Sequence, residues 1–132
     1  MRKYLDELGI KFEDTPQGYC IGKNDDRESK WAEERETYGF DQRETWSLDH
    51  NFSMWIYERL MMYLEVADKY INLDYHTFEY EGKTLTQREC INRMLEGFGL
   101  YAKEKWEFKL ENEKKMDDAF KIFALCYPVM WW

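Results

Sequence analysis

Gly39–Ile71, reading GFDQRETWSLDHNFSMWIYERLMMYLEVADKYI, decides the reading of this chain. Thr45, Ser47 and Asp49 are all helix N-cap residue types, and the acids around them suit the positive end of a helix dipole. Leu48, Phe52, Trp55, Ile56, Leu60, Tyr63, Leu64, Ala67, Tyr70 and Ile71 then recur at the spacing of one helical face. Met54, Tyr57, Met61 and Met62 add apolar surface on other sides. A helix apolar that far round is normally enclosed by partners. The expected fold is therefore mainly α: a small helical bundle around a central buried helix at about 48–71.

The second clear start lies at Thr86–Glu89. Thr86 and Glu89 fit a capping box, and Leu85 and Cys90 stand where a hydrophobic staple would hold the chain. Ile91, Met94, Leu95, Phe98, Tyr101 and Ala102 continue an amphipathic face, with Gly97 and Gly99 allowing close approach of another helix or a break. Met116–Tyr127 is again apolar at helical spacing, and Pro128 ends it. Between the central helix and Thr86, Tyr75, Phe78 and Tyr80 alternate with polar residues and suggest one short strand and a turn.

The first third is thinner in apolar residues. Residues 1–8 suit a short helix stopped by Gly9. Ile10–Phe12 and Tyr19–Ile21 flank a Thr15–Gly18 turn and suggest a short β-hairpin in this N-terminal third. Arg27–Tyr38 reads as a solvated helix with Trp31 and Tyr38 on a narrow seam, stopped by Gly39. Residues 1–132 are expected to form one domain, in which 1–38 is an acidic segment wrapping the body and 39–132 is the helical body.

The segment Gly39–Asp49, with Thr45-Trp46-Ser47-Leu48-Asp49 at its end, resembles the opening of a group of small, uncharacterised proteins of tailed phages and prophages. Ile91–Phe98 and Phe120–Trp132 resemble their second and last helices. The similarity runs through residues 39–132. It departs from the group at Asn72–Lys83, which has no Gly-Tyr-Pro turn. The resemblance implies phage origin and a helical fold and supplies no activity.

Charge and composition narrow the function. The formal charge is −8, and residues 1–50 hold 13 acids against 8 bases, while residues 86–132 hold 8 of each. Nucleic acid and anionic membranes need a basic footprint, so neither is an expected partner. Aromatic residues make up 18% of the chain, a surplus that either fills the core or marks a binding surface. Cys20, Cys90 and Cys126 are odd in number and widely spaced, which indicates neither a disulfide framework nor a zinc knuckle. His50 and His76 lack metal-ligand spacing, and no motif activates a serine or cysteine or cradles a phosphate. The expectation is a protein that is not an enzyme, has no cofactor or metal, and works in the cytoplasm of a bacterial host cell.

The function expected from these features is inhibition of a host antiviral defence factor, in the manner of an anti-CRISPR or other anti-defence protein, by occluding it. Trp31, Glu33, Glu34, Glu36, Asp41 and Glu44 would face a basic surface on that host protein. Trp131 and Trp132 either fold back into the core or present an aromatic anchor. Trp46 and Asp49 are read as a core plug and a cap at the helix start. Two alternatives stand beside this reading. One is sequestration of a small nucleotide signal between aromatic rings, with Arg59, Arg88 and Arg93 supplying charge. The other is a phage assembly or replication accessory. The Met- and aromatic-rich helices also leave a homodimer open.

Overall fold

The computed structural model describes residues 2–19, 24–103 and 109–132. Among the described residues the protein is mainly helical, with five α-helices and one two-stranded antiparallel hairpin. The chain separates into two compact units, Met1–Phe52 and Ser53–Trp132. The change of composition at residue 38 does not coincide with that division, which falls inside a helix.

In the first unit, α1 (Lys3–Leu8) ends on Gly9 at φ 83°, where the amide of Gly9 donates to the Asp6 carbonyl and that of Ile10 to Leu5. A left-handed residue at this position is what glycine supplies without strain. The hairpin expected here is replaced on its first side by a 3₁₀ turn at Phe12–Asp14. The Thr15–Gly18 turn does form, with the Gly18 amide donating to the Thr15 carbonyl. Thr15 also closes the 3₁₀ turn, its hydroxyl donating to the Phe12 carbonyl at 2.7 Å. A Cβ on Gly18 would lie 1.9 Å from the Phe12 oxygen, so the turn closes directly onto the 3₁₀ segment. Tyr19 lies in a turn, and Cys20 and Ile21 lie outside the described residues. Helix α2 (Glu28–Tyr38) ends on Gly39 at φ 84°. A 3₁₀ turn at Gln42–Thr45 leads into α3.

Helix α3 (Leu48–Ala67) begins where expected and stops four residues before Ile71. Beyond it the Asn72 side chain accepts from the Asp74 amide, an Asx turn that replaces the helical bond. Its burial departs from the sequence reading. Met54, Ile56, Leu60 and Ala67 are buried, but Leu48, Trp55 and Met62 are exposed. The helix is apolar nearly all round and enclosed on only part of its circumference.

The second unit is centred instead on α4 (Gln87–Lys103). Cys90, Ile91, Met94 and Phe98 are wholly buried, each such apolar side chain contributing about 1.5–3 kcal/mol. Its start is the expected capping box: the Thr86 amide donates to Glu89 at 2.7 Å, and the Glu89 amide to the Thr86 hydroxyl at 3.2 Å. Helix α5 (Leu110–Cys126) packs along α4. Gly97 permits the contact, because a Cβ there would stand 2.4 Å from the Lys115 carbonyl oxygen and 2.7 Å from the Ala119 Cβ.

Strands β1 (Thr77–Tyr80) and β2 (Lys83–Thr86) pair with Phe78 opposite Leu85 and Tyr80 opposite Lys83. Here the sequence suggested one strand, and the structure has two. Glu81 (φ 47°) and Gly82 (φ 75°) form a two-residue turn with both central residues left-handed. That geometry matches the twist of a hairpin, and Glu at its first position is a weak signal compared with Asn or Asp.

Candidate partner-binding surface

The acids expected to form one face divide into an inner and an outer set. Asp41 is buried, its carboxylate accepting from the Arg43 amide at 3.0 Å, from Arg43 Nε at 2.8 Å and Nη2 at 2.6 Å, and from Arg35 Nη1 at 2.7 Å. The hydrogen-bonded Arg43 guanidinium holds the Asp41 carboxyl down at about 2, against the opposing effect of burial. Arg35 continues the chain of charge to Glu28 at 2.6 Å.

Trp31 is buried at the centre of this cluster. Arg43 lies 4.5 Å and Arg27 4.7 Å from its ring, and the half-exposed Trp46 meets it edge-on at 5.8 Å. Trp31 and Asp41 thus organise the unit from inside and are corrected from surface residues to core residues. The reason is complementary charge: Arg35 and Arg43 satisfy the carboxylate, and Arg27 and Arg43 cover the indole, which makes enclosure favourable.

Glu34 is half-buried and accepts from the Gln42 amide at 2.8 Å, tying α2 to the turn that follows. Glu44 is half-buried too, and burial raises its pKa. Glu33 and Glu36 are exposed. Immediately after them, Tyr38 and Phe40 are 67% and 49% exposed, with ring centroids 6.2 Å apart. Tyr38 therefore leaves the seam on which it was placed with Trp31. The outer surface of α2 and its terminal turn carries two carboxylates and two uncovered rings.

The helix-start residues play structural parts. The Ser47 carbonyl accepts the Asn51 amide at 2.9 Å, Thr45 closes the preceding 3₁₀ turn through the Gln42 carbonyl, and Asp49 accepts from the His50 amide. Leu48 is exposed. Trp46 covers Trp31 while keeping about half its surface in solvent. Asn51, which sequence reasoning did not single out, is buried and donates to the Glu44 carbonyl at 2.8 Å. Its signal was a polar residue inside an apolar helical run.

In the second unit, Trp132 stacks on Tyr70, with centroids 5.0 Å apart and planes 5° from parallel. Trp131 is 75% exposed and Trp132 remains 55% exposed. The two tryptophans are therefore presented at the surface, one of them propped by a tyrosine. The arginines considered for a nucleotide each have a different partner: Arg59 covers the Trp55 ring at 4.1 Å, Arg88 pairs with Asp68 and Asp74, and Arg93 lies by Tyr80 and Asp118.

Asp118 on α5 is a buried carboxylate that the sequence did not distinguish from its neighbours. It accepts from the Tyr80 hydroxyl and from Lys114 Nζ at 2.6 Å, with Arg93 at 3.7 Å. Burial raises its pKa, and the bonds from Lys114 and Tyr80 outweigh that effect, so the carboxyl is lowered overall. Burial foremost, with the same hydrogen bond, pushes the Tyr80 hydroxyl up to about 12. Cys90 and Cys126 are buried on α4 and α5, and the neighbouring Cys90 thiol together with burial raises the Cys126 thiol. These groups are core connections between elements.

Among the described residues, no helix is long and apolar enough to cross a membrane. No protein-family model matches the chain, and no curated protein or solved structure is significantly similar to it.

Proposed function

We propose that this protein acts by binding, with the exposed acidic and aromatic surface of α2 occluding a basic surface on another protein. The observation that carries the reading is the uncovered Tyr38–Phe40 pair directly following Glu33 and Glu36. Aromatic side chains give large, rigid contact area at low entropic cost, and flanking carboxylates select a partner of opposite charge. The overall charge of −8 supports the same preference. The similarity of Thr45–Asp49 to phage proteins supports a phage or prophage setting, in which the partner is a host antiviral defence factor in the bacterial cytoplasm.

The test joins capture to phenotype. Native mass spectrometry of the protein drawn from a lysate of a bacterium that carries active defences should show the added mass of one host protein. Glu33→Lys with Glu36→Lys, or Tyr38→Ala with Phe40→Ala, should remove it without loss of helical circular dichroism. Phage plated on the same host should lose infectivity when they carry either double variant. Wild-type plaque numbers with both variants would remove the anti-defence reading and leave a role in phage assembly. An unchanged captured mass would remove this surface from the interaction.

A further inference from the structure

Cys90, Met94 and Gly97 follow one another on α4 at intervals of four and three residues, and Ala119, Ile122 and Cys126 on α5 at intervals of three and four. Each set keeps to one face of its helix. The helices run antiparallel, since Arg93 reaches Asp118 while Glu96, further along α4, pairs with Lys115, earlier on α5. A Cβ on Gly97 would stand 2.7 Å from the Ala119 Cβ, which fixes the register at that level. Continuing it in opposite directions sets Met94 against Ile122 and then Cys90 against Cys126. The side chains of Cys90, Met94, Ala119, Ile122 and Cys126 are all wholly buried, as members of one shared seam must be. The acidities of the two thiols agree with contact: Cys126 lowers the Cys90 thiol against the effect of burial, while Cys90 and burial raise the Cys126 thiol.

We infer that Cys90 and Cys126 are a dithiol that oxidises reversibly to one intramolecular disulfide, a redox switch that staples the end of α5 to the first turn of α4. The oxidant is a peroxide. The Cys90 sulfur, as thiolate, attacks one peroxide oxygen; the O–O bond breaks, and the departing hydroxide leaves as water with the thiol's proton. The Cys126 sulfur then attacks the resulting sulfenic sulfur, the S–O bond breaks, and a second water carries off the Cys126 proton. Two thiols lose two protons and two electrons, and one peroxide becomes two waters. A small dithiol reverses the step by thiol–disulfide exchange. The seam supplies what a single cysteine lacks, a resolving thiol in place to intercept the sulfenic acid before it oxidises further. Among the described residues, no three His, Cys, Asp or Glu side chains stand together as a metal-ligand set, so the pair is not a fragment of one.

Burial sets how the pair responds. Cys126 is the last residue of α5, and helix ends open at lower free energy than helix centres. A peroxide therefore reaches the thiols when the last turn of α5 lifts from α4, and the bond then holds that turn closed. The segment that follows is held with it: the Val129 carbonyl already accepts from Gln87 Nε2 at 3.4 Å, and the exposed Trp131 and Trp132 come next. Oxidation thus fixes the base of the most exposed aromatic segment in the second unit. The switch lies in that unit alone and does not depend on the acidic surface of α2.

Treatment of the folded full chain with hydrogen peroxide, followed by intact-mass measurement and non-reducing peptide mapping, tests the switch. The chain should become lighter by about 2 Da, the map should join Cys90 to Cys126, and dithiothreitol should restore the starting mass. The oxidised form should melt higher, by on the order of 5–10 °C, because the bond joins groups that already meet in the native fold. Cys20 lies outside the described residues and serves as the internal comparison. The same treatment in urea should scatter the bonds among all three cysteines, since selectivity for Cys90–Cys126 comes from the seam. Cys126→Ala should replace the loss of mass by a gain of oxygen at Cys90. A folded chain that forms Cys20 bonds as readily would overturn the inference. So would sulfinic acid at Cys90 with Cys126 still free, an oxidised form that melts lower, or a folded chain whose Cys90 and Cys126 stay reduced while Cys20 is oxidised.

Discussion

The hydroxyl of Tyr80, the last residue of β1, donates to the carboxylate of Asp118 in the middle of α5, joining the hairpin to the helix through a buried bond. Lys114, one turn earlier on α5, shares that carboxylate and also reaches Glu81 in the hairpin turn at 2.6 Å. The hairpin is thus anchored by a hydrogen bond at the end of β1 and an ion pair in its turn. Removing the hydroxyl in Tyr80→Phe leaves Asp118 with its cations and should cost about 1 kcal/mol. Asp118→Ala strands the Tyr80 hydroxyl and should cost about 2–3 kcal/mol. Chemical denaturation of the two variants should give that order, and an Asp118→Ala variant no worse than Tyr80→Phe would refute the ranking.

Gly97 makes a second prediction, because local propensity and packing oppose each other there. Alanine is the better helix former by about 1 kcal/mol. The new methyl would nevertheless stand 2.4 Å from the Lys115 carbonyl and force α4 and α5 apart. Gly97→Ala should therefore lower stability by about 1–3 kcal/mol, read as a lower thermal midpoint. A stabilised variant would show that the helices separate freely.

Acid should loosen the first unit at a pH set by Asp41. Its folded carboxyl titrates at about 2, below the ordinary 3.8. The group therefore contributes stability that is present above pH 4 and is lost as pH falls through 2. The shift amounts to about 2 kcal/mol. Trp31 reports it, since its ring is held by the Arg43 that Asp41 positions. A fluorescence-monitored acid titration should show a transition across this window. Asp41→Asn should remove that pH dependence while lowering stability at neutral pH, because Arg43 would be left buried without its counter-charge.

The turn of the hairpin gives a fourth. Gly82 has φ 75° with open space around the missing side chain, so Gly82→Ala is opposed by backbone conformation alone. The expected cost is about 1 kcal/mol, smaller than that of Gly97→Ala. Equal losses in equilibrium unfolding of the two variants would contradict this separation of backbone strain from steric overlap.

Much of the helical framework was legible because its signals act over a few residues. Gly9 and Gly39 stop helices by taking left-handed conformations, and Thr86 with Glu89 closes a capping box within one turn. The hairpin was half-legible: the alternation of Phe78 and Tyr80 is visible, but Glu81 disguises the turn. The N-terminal hairpin was misread at Ile10–Phe12, since Gly18 closing on Phe12 is a contact that no local pattern announces.

The sequence alone determined the starts of α3 and α4, the glycine stops of α1 and α2, the acidity of the chain and its lack of a basic footprint, because these depend on neighbouring residues and on sums of charge. Tertiary structure alone decided which aromatic rings lie inside. Trp31 is enclosed because Arg27, Arg43 and Trp46 converge on it, while Tyr38, on the same helical face by spacing, meets the half-exposed Phe40 ring and stays in solvent. Likewise Asp41 is a core anchor and Glu33 a surface charge, though both are acids in one acidic stretch. Burial depends on what the rest of the chain brings to a side chain, and no spacing rule carries that information.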